Sequence, residues 1–359
     1  MTRRAGMVEL GAYALGQSAR IAWYMGHRAA GRRAGRNVPP PPGALEVASN
    51  ETQDAPRRPT PSFSDLLADL ARLFARDAAN VAKGLYPAPD DGDGSPARRI
   101  ARLRAFLADI EPAGARRAGE GRADPAQLPG AEALPDYYLT DFHYQQGGYL
   151  TETSAKLYDT QVETLFIGAA NAMRRQALVP LVEQFTNLDQ RRASLIDIGC
   201  GTGRFIHQAK QALPAINAIG VDLSPAYLRE AERTLISRRG VSLMQAPGEA
   251  LPLADQTIDA GVSIFLFHEL PGEVRREVAR EAARVLKPGA PFVLIDSLQR
   301  GDRPDWDGIL DGFERSFNEP YYLSYIEDDL EACFADQGLA LTASWTAFLS
   351  KVMVFAKAA

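Results

Sequence analysis

Two short clusters in this chain carry residue types arranged for chemistry. The first is Ser-Leu-Ile-Asp197-Ile-Gly199-Cys200-Gly201-Thr-Gly203, in which an apolar, strand-like run ends in an acid and opens into three alternating glycines. Glycine lets backbone approach a ligand closely and adopt positive φ. The segment that follows, Arg204 to Leu213, has the pattern of a helix whose N-terminus would favour an anionic group. A second acid, Asp222, ends the strand-like run Ala218-Ile-Gly-Val-Asp222, where it can accept both hydroxyls of a ribose. Two acids around a bare turn read as a nucleoside cofactor site. The second cluster is Ser263-Ile-Phe-Leu-Phe-His268-Glu269, at the end of a later strand. Either His268 or Glu269 could take a proton from an oxygen or nitrogen nucleophile. The other reading makes His268 a polar cap of the next helix and leaves Glu269 in solvent. His143, upstream, is a further candidate base.

The elements that position these residues follow from periodicity. From Ala193 on, strand patterns at 193–197, 218–222, 241–245, 258–264, 291–296, 339–345 and 349–356 alternate with helix patterns at 204–213, 225–237, 272–286 and 324–337. This predicts an α/β, Rossmann-like fold with a seven-stranded, mostly parallel sheet and helices on both faces. The last two strands are too close for a helical crossover and must form an antiparallel C-terminal hairpin. A dinucleotide fingerprint needs Gly-x-Gly-x-x-Gly, and Arg204 stands where its third glycine belongs. No Lys-Ser or Lys-Thr follows the turn to hold a triphosphate.

The spacing Asp-x-Gly-x-Gly-x-Gly resembles motif I of the class I S-adenosylmethionine-dependent methyltransferases. The resemblance implies that the turn, with Asp197, Gly199, Cys200, Gly201 and Gly203, wraps the methionine part of S-adenosylmethionine, and that Asp222 and the adjoining Leu223 hold the ribose. Glu249-Ala-Leu-Pro252-Leu-Ala-Asp255 through Asp259 resembles the family's stretch that meets adenine, which brings in Gly248 and Glu249. Where the family offers an aspartate to the adenine amino group, this chain has Pro247, so recognition falls to backbone near Ala246 to Glu249 or to another side chain. Ala155 to Asp159 is similar to the Ala-x-x-Tyr-Asp segment of quinone and tocopherol methyltransferases, which implies that Tyr158 lies against the cofactor cleft. Arg284-Val-Leu-Lys287-Pro-Gly289 resembles the family's turn before the fifth strand, with Ala290 in place of its last glycine. The likeness runs over about residues 150–359. It implies methyl transfer by in-line displacement to a small acceptor. Two rivals stand beside it: an NAD-dependent oxidoreductase, which would want glycine at Arg204, and a catalytically silent protein that keeps the fold for partner docking.

Composition bounds the partners. Hydrophobic residues make up 46% of the 359 residues, enough for a full core, and the whole net charge of −5 lies beyond residue 190. An acidic second half argues against nucleic acid, which needs a basic surface, and favours a small-molecule acceptor. Two cysteines, Cys200 and Cys333, and four scattered histidines give neither a disulfide framework nor a metal motif, so no metal is expected and a reduced, cytoplasmic setting is.

Three regions are expected: a basic N-terminal segment and Pro-rich linker (1–62), a mainly helical region with an aromatic segment (63–150), and the methyltransferase domain (151–359). Met1 to Arg36 holds seven arginines and one acid among Trp23, Tyr24, Leu10, Leu15, Ile21 and Met25. It could rest on an anionic membrane as an amphipathic helix, pack on the protein, or trail in solvent. Prolines 39–42, 56, 59 and 61 make the first 62 residues an appendage. Helices are expected at 63–74 and 97–110, a solvated acidic turn at 86–96, a loose connector at 111–135, and a helix from Thr153 towards Leu178. Tyr137, Tyr138, Phe142, His143, Tyr144 and Tyr149 could line a substrate pocket or staple the N-terminal region to the sheet. The resemblance to the methyltransferases implies that the aromatic insertion Ser297 to Tyr322 forms a lid over the acceptor.

Overall fold

The computed structural model describes residues 5–35 and 58–358, so prolines 39–42 and 56 lie outside the described residues. The seven strands are β1 (Ser194–Ile198), β2 (Asn217–Asp222), β3 (Val241–Gln245), β4 (Ala260–Ile264), β5 (Pro291–Ser297), β6 (Leu339–Ala347) and β7 (Ser350–Lys357). They form one sheet in the order β3-β2-β1-β4-β5-β7-β6. β1, β2, β3, β4 and β5 pair in parallel, whereas β7 runs antiparallel to both β5 and β6, as the short link between the last strands requires. Chain order reverses direction across the sheet between β1 and β4, and a ligand crevice is expected beyond the carboxyl ends of those two strands. Leu195, Ile196, Ala260, Val262, Phe292, Val293, Ile295 and Phe355 are fully buried at the centre of the core.

Before the sheet come α1 (Met7–Ala34), α2 (Phe63–Lys83), α3 (Pro96–Arg117), α4 (Glu152–Leu165), α5 (Ala170–Arg175) and α6 (Leu178–Thr186). Along the second half run α7 (Arg204–Ala212), α8 (Pro225–Leu235), α9 (Gly272–Val285), α10 (Asp307–Leu310), α11 (Phe313–Phe317), α12 (Tyr322–Ile326) and α13 (Leu330–Ala335). No described helix is long and apolar enough to cross a membrane.

Several expectations need correction. The basic N-terminal segment is not an appendage: α1 buries Tyr13, Gln17, Arg20, Tyr24 and His27, a stripe at helical spacing that is polar where periodicity looks for apolar residues. The turn at 86–96 is solvated only in part: Asp90 is exposed, but Asp91 pairs with Arg175 at 2.6 Å and Asp93 with Arg20 at 2.8 Å, so these two acids are neutralised by arginines and not by water. α2 runs past Phe74 to Lys83 and is started by a reciprocal cap between Ser62 and Asp65. α3 continues through Pro112 because its last turn is anchored: buried Arg116 donates to the Tyr144 carbonyl at 2.6 Å and to Asp109 at 2.8 Å. The helix from 153 breaks after Leu165, where Ile167 and Gly168 take positive φ and the Glu163 carboxylate caps the Ala170 and Asn171 amides that open α5. The helix expected at 324–337 is two, α12 and α13, restarted by Asp329, whose side chain accepts from the Ala332 amide.

Candidate active site

The cofactor cleft starts where β1 ends. Gly199, Gly201 and Gly203 have φ of 75°, 53° and 75°, the left-handed region that side chains resist. The Gly199 and Cys200 amides both donate to the Val221 carbonyl, at 2.8 and 3.0 Å, which draws the turn against the end of β2. There the Gly201 amide donates to one oxygen of Asp222 at 2.8 Å and the Ser224 amide to the other at 2.9 Å, fixing the carboxylate at the crevice mouth. Burial pushes Asp222 up to about 6, against the pull of these backbone donors. A Cβ at Gly201 would meet only Tyr227, at 3.9 Å, so the backbone here is bare towards the cleft.

Gly199, Gly201, Asp222, Leu223, Gly248, Glu249 and Tyr158 all line this cleft, with Pro247 beside them. Three of the anticipated residues stand behind its wall. A Cβ at Gly203 would strike Leu235 at 2.7 Å, so this glycine serves the packing of the turn on α8. Cys200 lies 2.8 Å from where a Gly220 Cβ would be, under β2. Asp197 is 2% exposed, one of its oxygens lacks a hydrogen-bond partner, and burial together with Asp222 pushes it up to about 8. Tyr137, Tyr138 and Tyr149 of the aromatic segment reach over the cleft and leave a free volume of about 90 Å³. Glu249 is engaged by that roof, accepting from the Tyr137 hydroxyl at 2.6 Å.

A second cavity, of about 300 Å³, adjoins the first; Tyr158, Phe265 and Glu269 belong to both walls. Its walls are mostly apolar, from Val162, Leu165 and Phe166 on one side to Trp306, Leu310, Phe313, Phe317 and Leu349 on the other. The insertion between β5 and α12 therefore supplies one wall of this cavity. The tyrosines of the segment at 137–149 roof the cofactor cleft and not the second cavity, which only His143 of these residues lines, and the Tyr144 carbonyl ties the segment to Arg116 of α3.

One end of this cavity is polar. His143, His268, Glu269 and Glu319 meet there from three stretches of chain. Glu269 accepts from the Tyr149 hydroxyl and lies 3.3 Å from Nε2 of His143, whose Nδ1 is 3.4 Å from Glu319. His268 Nδ1 is bound to Asp296 on β5, and its Nε2 faces both glutamates at 3.7 Å. Burial opposes a charge on His268, but Asp296, Glu319 and Glu269 outweigh it and raise the ring to about 10. Burial likewise opposes the charge of His143, which Glu269 and Glu319 nonetheless raise, and burial pushes Glu319 up against the pull of both histidines. His268 and Glu269 are both buried, so neither the solvent placement nor the simple cap reading holds. Sequence reading missed Glu319 and Asp296, and named Tyr149 only as one of the aromatic segment. Only Asp296 had a local signal, an acid ending an apolar strand as Asp197 and Asp222 do.

The cleft is braced from beneath. Asp159, next to Tyr158 on α4, accepts from Thr202 in the glycine turn at 2.7 Å and from Arg204 at 2.7 Å. Arg204 also reaches the Asp91 carbonyl at 2.7 Å. The residue that breaks the dinucleotide spacing thus ties the turn to the N-terminal region.

Residues 195–289 match the methyltransferase domain family. Over 107 residues the chain is 36% identical to the ubiquinone/menaquinone biosynthesis C-methyltransferase UbiE of Syntrophotalea carbinolica, covering 29% of this chain and 44% of that one. It is 34% identical over 117 residues to the probable tRNA methyltransferase 9B of Mus musculus, covering 32% of this chain and 24% of the other. A longer match, 28% identical over 210 residues, links it to the demethylmenaquinone methyltransferase of Lactiplantibacillus plantarum and covers 55% of this chain and 84% of that protein. The chain spans less than half the length of the first two of these relatives.

Proposed function

We propose that this chain, which carries a class I S-adenosylmethionine-dependent methyltransferase domain at residues 195–289, methylates a small, largely apolar acceptor with one polar end. The observation that carries this reading is the apolar cavity meeting the cofactor cleft at Tyr158, Phe265 and Glu269. S-adenosylmethionine, when bound, supplies a methyl group activated by its sulfonium and open to in-line displacement. The residues present suit it: Asp222 offers a carboxylate to a ribose, Gly199 and Gly201 a bare backbone, and Leu223, Gly248 and Glu249 a wall for adenine. Asp197, Cys200 and Gly203 shape the turn from behind.

The chain's own part in the reaction is to orient and to exclude water. The apolar walls seat the acceptor's body, and its polar end meets His143, His268, Glu269 and Glu319. Glu269 lines both spaces and on this reading takes the proton that an oxygen or nitrogen acceptor gives up. Loading the cleft requires the tyrosine roof to shift, since its free volume of about 90 Å³ is below the ~300 Å³ usual for ligand sites.

Relatives named for quinones and for tRNA both match this domain, so support for one acceptor class over the other has to come from the cavity. An enclosed apolar space in an acidic half suits a small molecule better than a polyanion. To test this, purified chain is given methyl-labelled S-adenosylmethionine together with a total lipid extract or total tRNA, and the labelled product is identified by mass spectrometry. Label in a lipid-soluble compound is the expected result. Label in tRNA would overturn the acceptor class, and absence of both cofactor binding and label would overturn the activity.

A further inference from the structure

We propose that His143, Glu269 and Glu319, with His268 as a fourth ligand, bind a divalent first-row transition-metal ion at the junction of the two cavities. One ring nitrogen of His143 and one carboxylate oxygen each of Glu269 and Glu319 lie within 4.8 Å of one another. His268 Nε2 stands 3.7 Å from both carboxylates. Ligands held about 2.0–2.2 Å from a metal are spaced ~3–4 Å apart, so this set needs only small adjustments to close on an ion.

Glu319 makes the independent case for a ligand. It is fully buried, and neither of its oxygens receives a hydrogen bond from the described residues. A buried carboxylate is costly unless donors or a cation satisfy it. Glu319 lines the cavity with both oxygens turned to the histidines and has no amide or hydroxyl of its own. The histidines offer it charge at 3.4 and 3.7 Å but no hydrogen bond, and a metal ion in place of their protons would supply the direct bond that they do not.

The surroundings are built like a ligand shell. His268 gives its Nδ1 side to Asp296 and aims Nε2 at the cluster, the arrangement that orients metal-binding histidines. Glu269 is likewise held by the Tyr149 hydroxyl. The segments carrying His143 and Glu319 are tied together, since Asn318 donates to the Asp141 side chain at 2.8 Å and to its carbonyl at 3.0 Å. Both segments sit in left-handed backbone, with φ of 57° at His143 and 53° at Asn318. Two imidazoles with two carboxylates favour Zn²⁺, Fe²⁺, Mn²⁺ or Co²⁺ over Mg²⁺ or Ca²⁺. On the acceptor reading of the cavity, the ion's open position would face the substrate's polar end.

The test uses tag-free full-length chain, stripped with chelator and titrated with Co²⁺ and then Zn²⁺. One equivalent of Co²⁺ is expected, with ligand-field bands that Zn²⁺ abolishes. Glu319→Gln and His143→Ala should each weaken binding by at least about tenfold, and Asp296→Asn should weaken it while keeping all the ligands. Thermal melts of each variant report folding, and if one fails to fold the other two decide. Uptake by Glu319→Gln equal to that of the parent, or no uptake by folded parent protein, would overturn the site. Cofactor affinity measured on the parent protein separates the two claims: no metal uptake with intact cofactor binding sinks the site alone, and metal uptake without cofactor binding sinks the methyltransferase reading alone.

Discussion

Two buried clusters of charge sit on either side of α4, and they are finished to different degrees. Beneath the glycine turn, Arg175 grips Asp77 and Asp91 at 2.6 Å, Arg20 grips Asp93 and Glu163 at 2.8 Å, and Arg204 grips Asp159 at 2.7 Å. Tyr13 and Tyr86 each add a hydrogen bond to Asp77 at 2.7 Å. Each of these carboxylates has arginine partners close enough for hydrogen bonds. Across α4, Glu319 has histidines at 3.4 and 3.7 Å and no hydrogen bond. A satisfied network specifies and holds a fold, whereas an unsatisfied one beside a cavity is waiting for something to bind. The first cluster is therefore read as a clamp and the second as a site.

The largest effect should come from breaking the clamp. Arg175→Ala strands Asp77 and Asp91, both buried, and should cost about 3–5 kcal/mol in urea unfolding. A loss below ~1 kcal/mol would mean that water replaces the guanidinium and that the cluster is no clamp. Next comes the cleft. Asp222→Asn should weaken S-adenosylmethionine binding about 10–100-fold in calorimetry, the loss of a charge-assisted hydrogen bond to the ribose, with the melting temperature little changed. In the parent, Asp222 titrates near 6 and binding needs its carboxylate, so affinity should hold from pH 8 to about 6 and fall below that. A flat profile down to pH 5 would remove Asp222 from the site.

Smaller effects sharpen the contrast. Asp197 titrates near 8 in the folded chain, well above an unfolded aspartate, so the folded state keeps a proton that the unfolded state has lost. Stability from this group is full at acid pH and is lost as pH rises towards 8. Asp197→Asn should remove that loss, raising the cofactor-free melting temperature at pH 8 by roughly 2–4 °C and by less at pH 5. Equal shifts at both pH values would mean that Asp197 is ionised throughout. Glu319→Gln should change stability least, by under ~1 kcal/mol, since its carboxylate has no hydrogen bonds to lose. A loss comparable to that of Arg175→Ala would place Glu319 in the clamp class.

What the chain alone determined was local. Strand positions, the closing hairpin, the glycine turn and Asp222 all follow from periods and spacings within about 30 residues, where backbone geometry dictates side-chain placement. Tertiary structure decided which charges meet. Nothing in the neighbourhood of Glu319 links it to His143, and no apolar period announces that Tyr13, Gln17, Arg20, Tyr24 and His27 are the buried face of α1. A polar side chain is admitted to the interior by the partner it finds there, and for Glu319, Arg20 and Arg175 those partners arrive from 51 to 176 positions away, where only the folded chain can bring them.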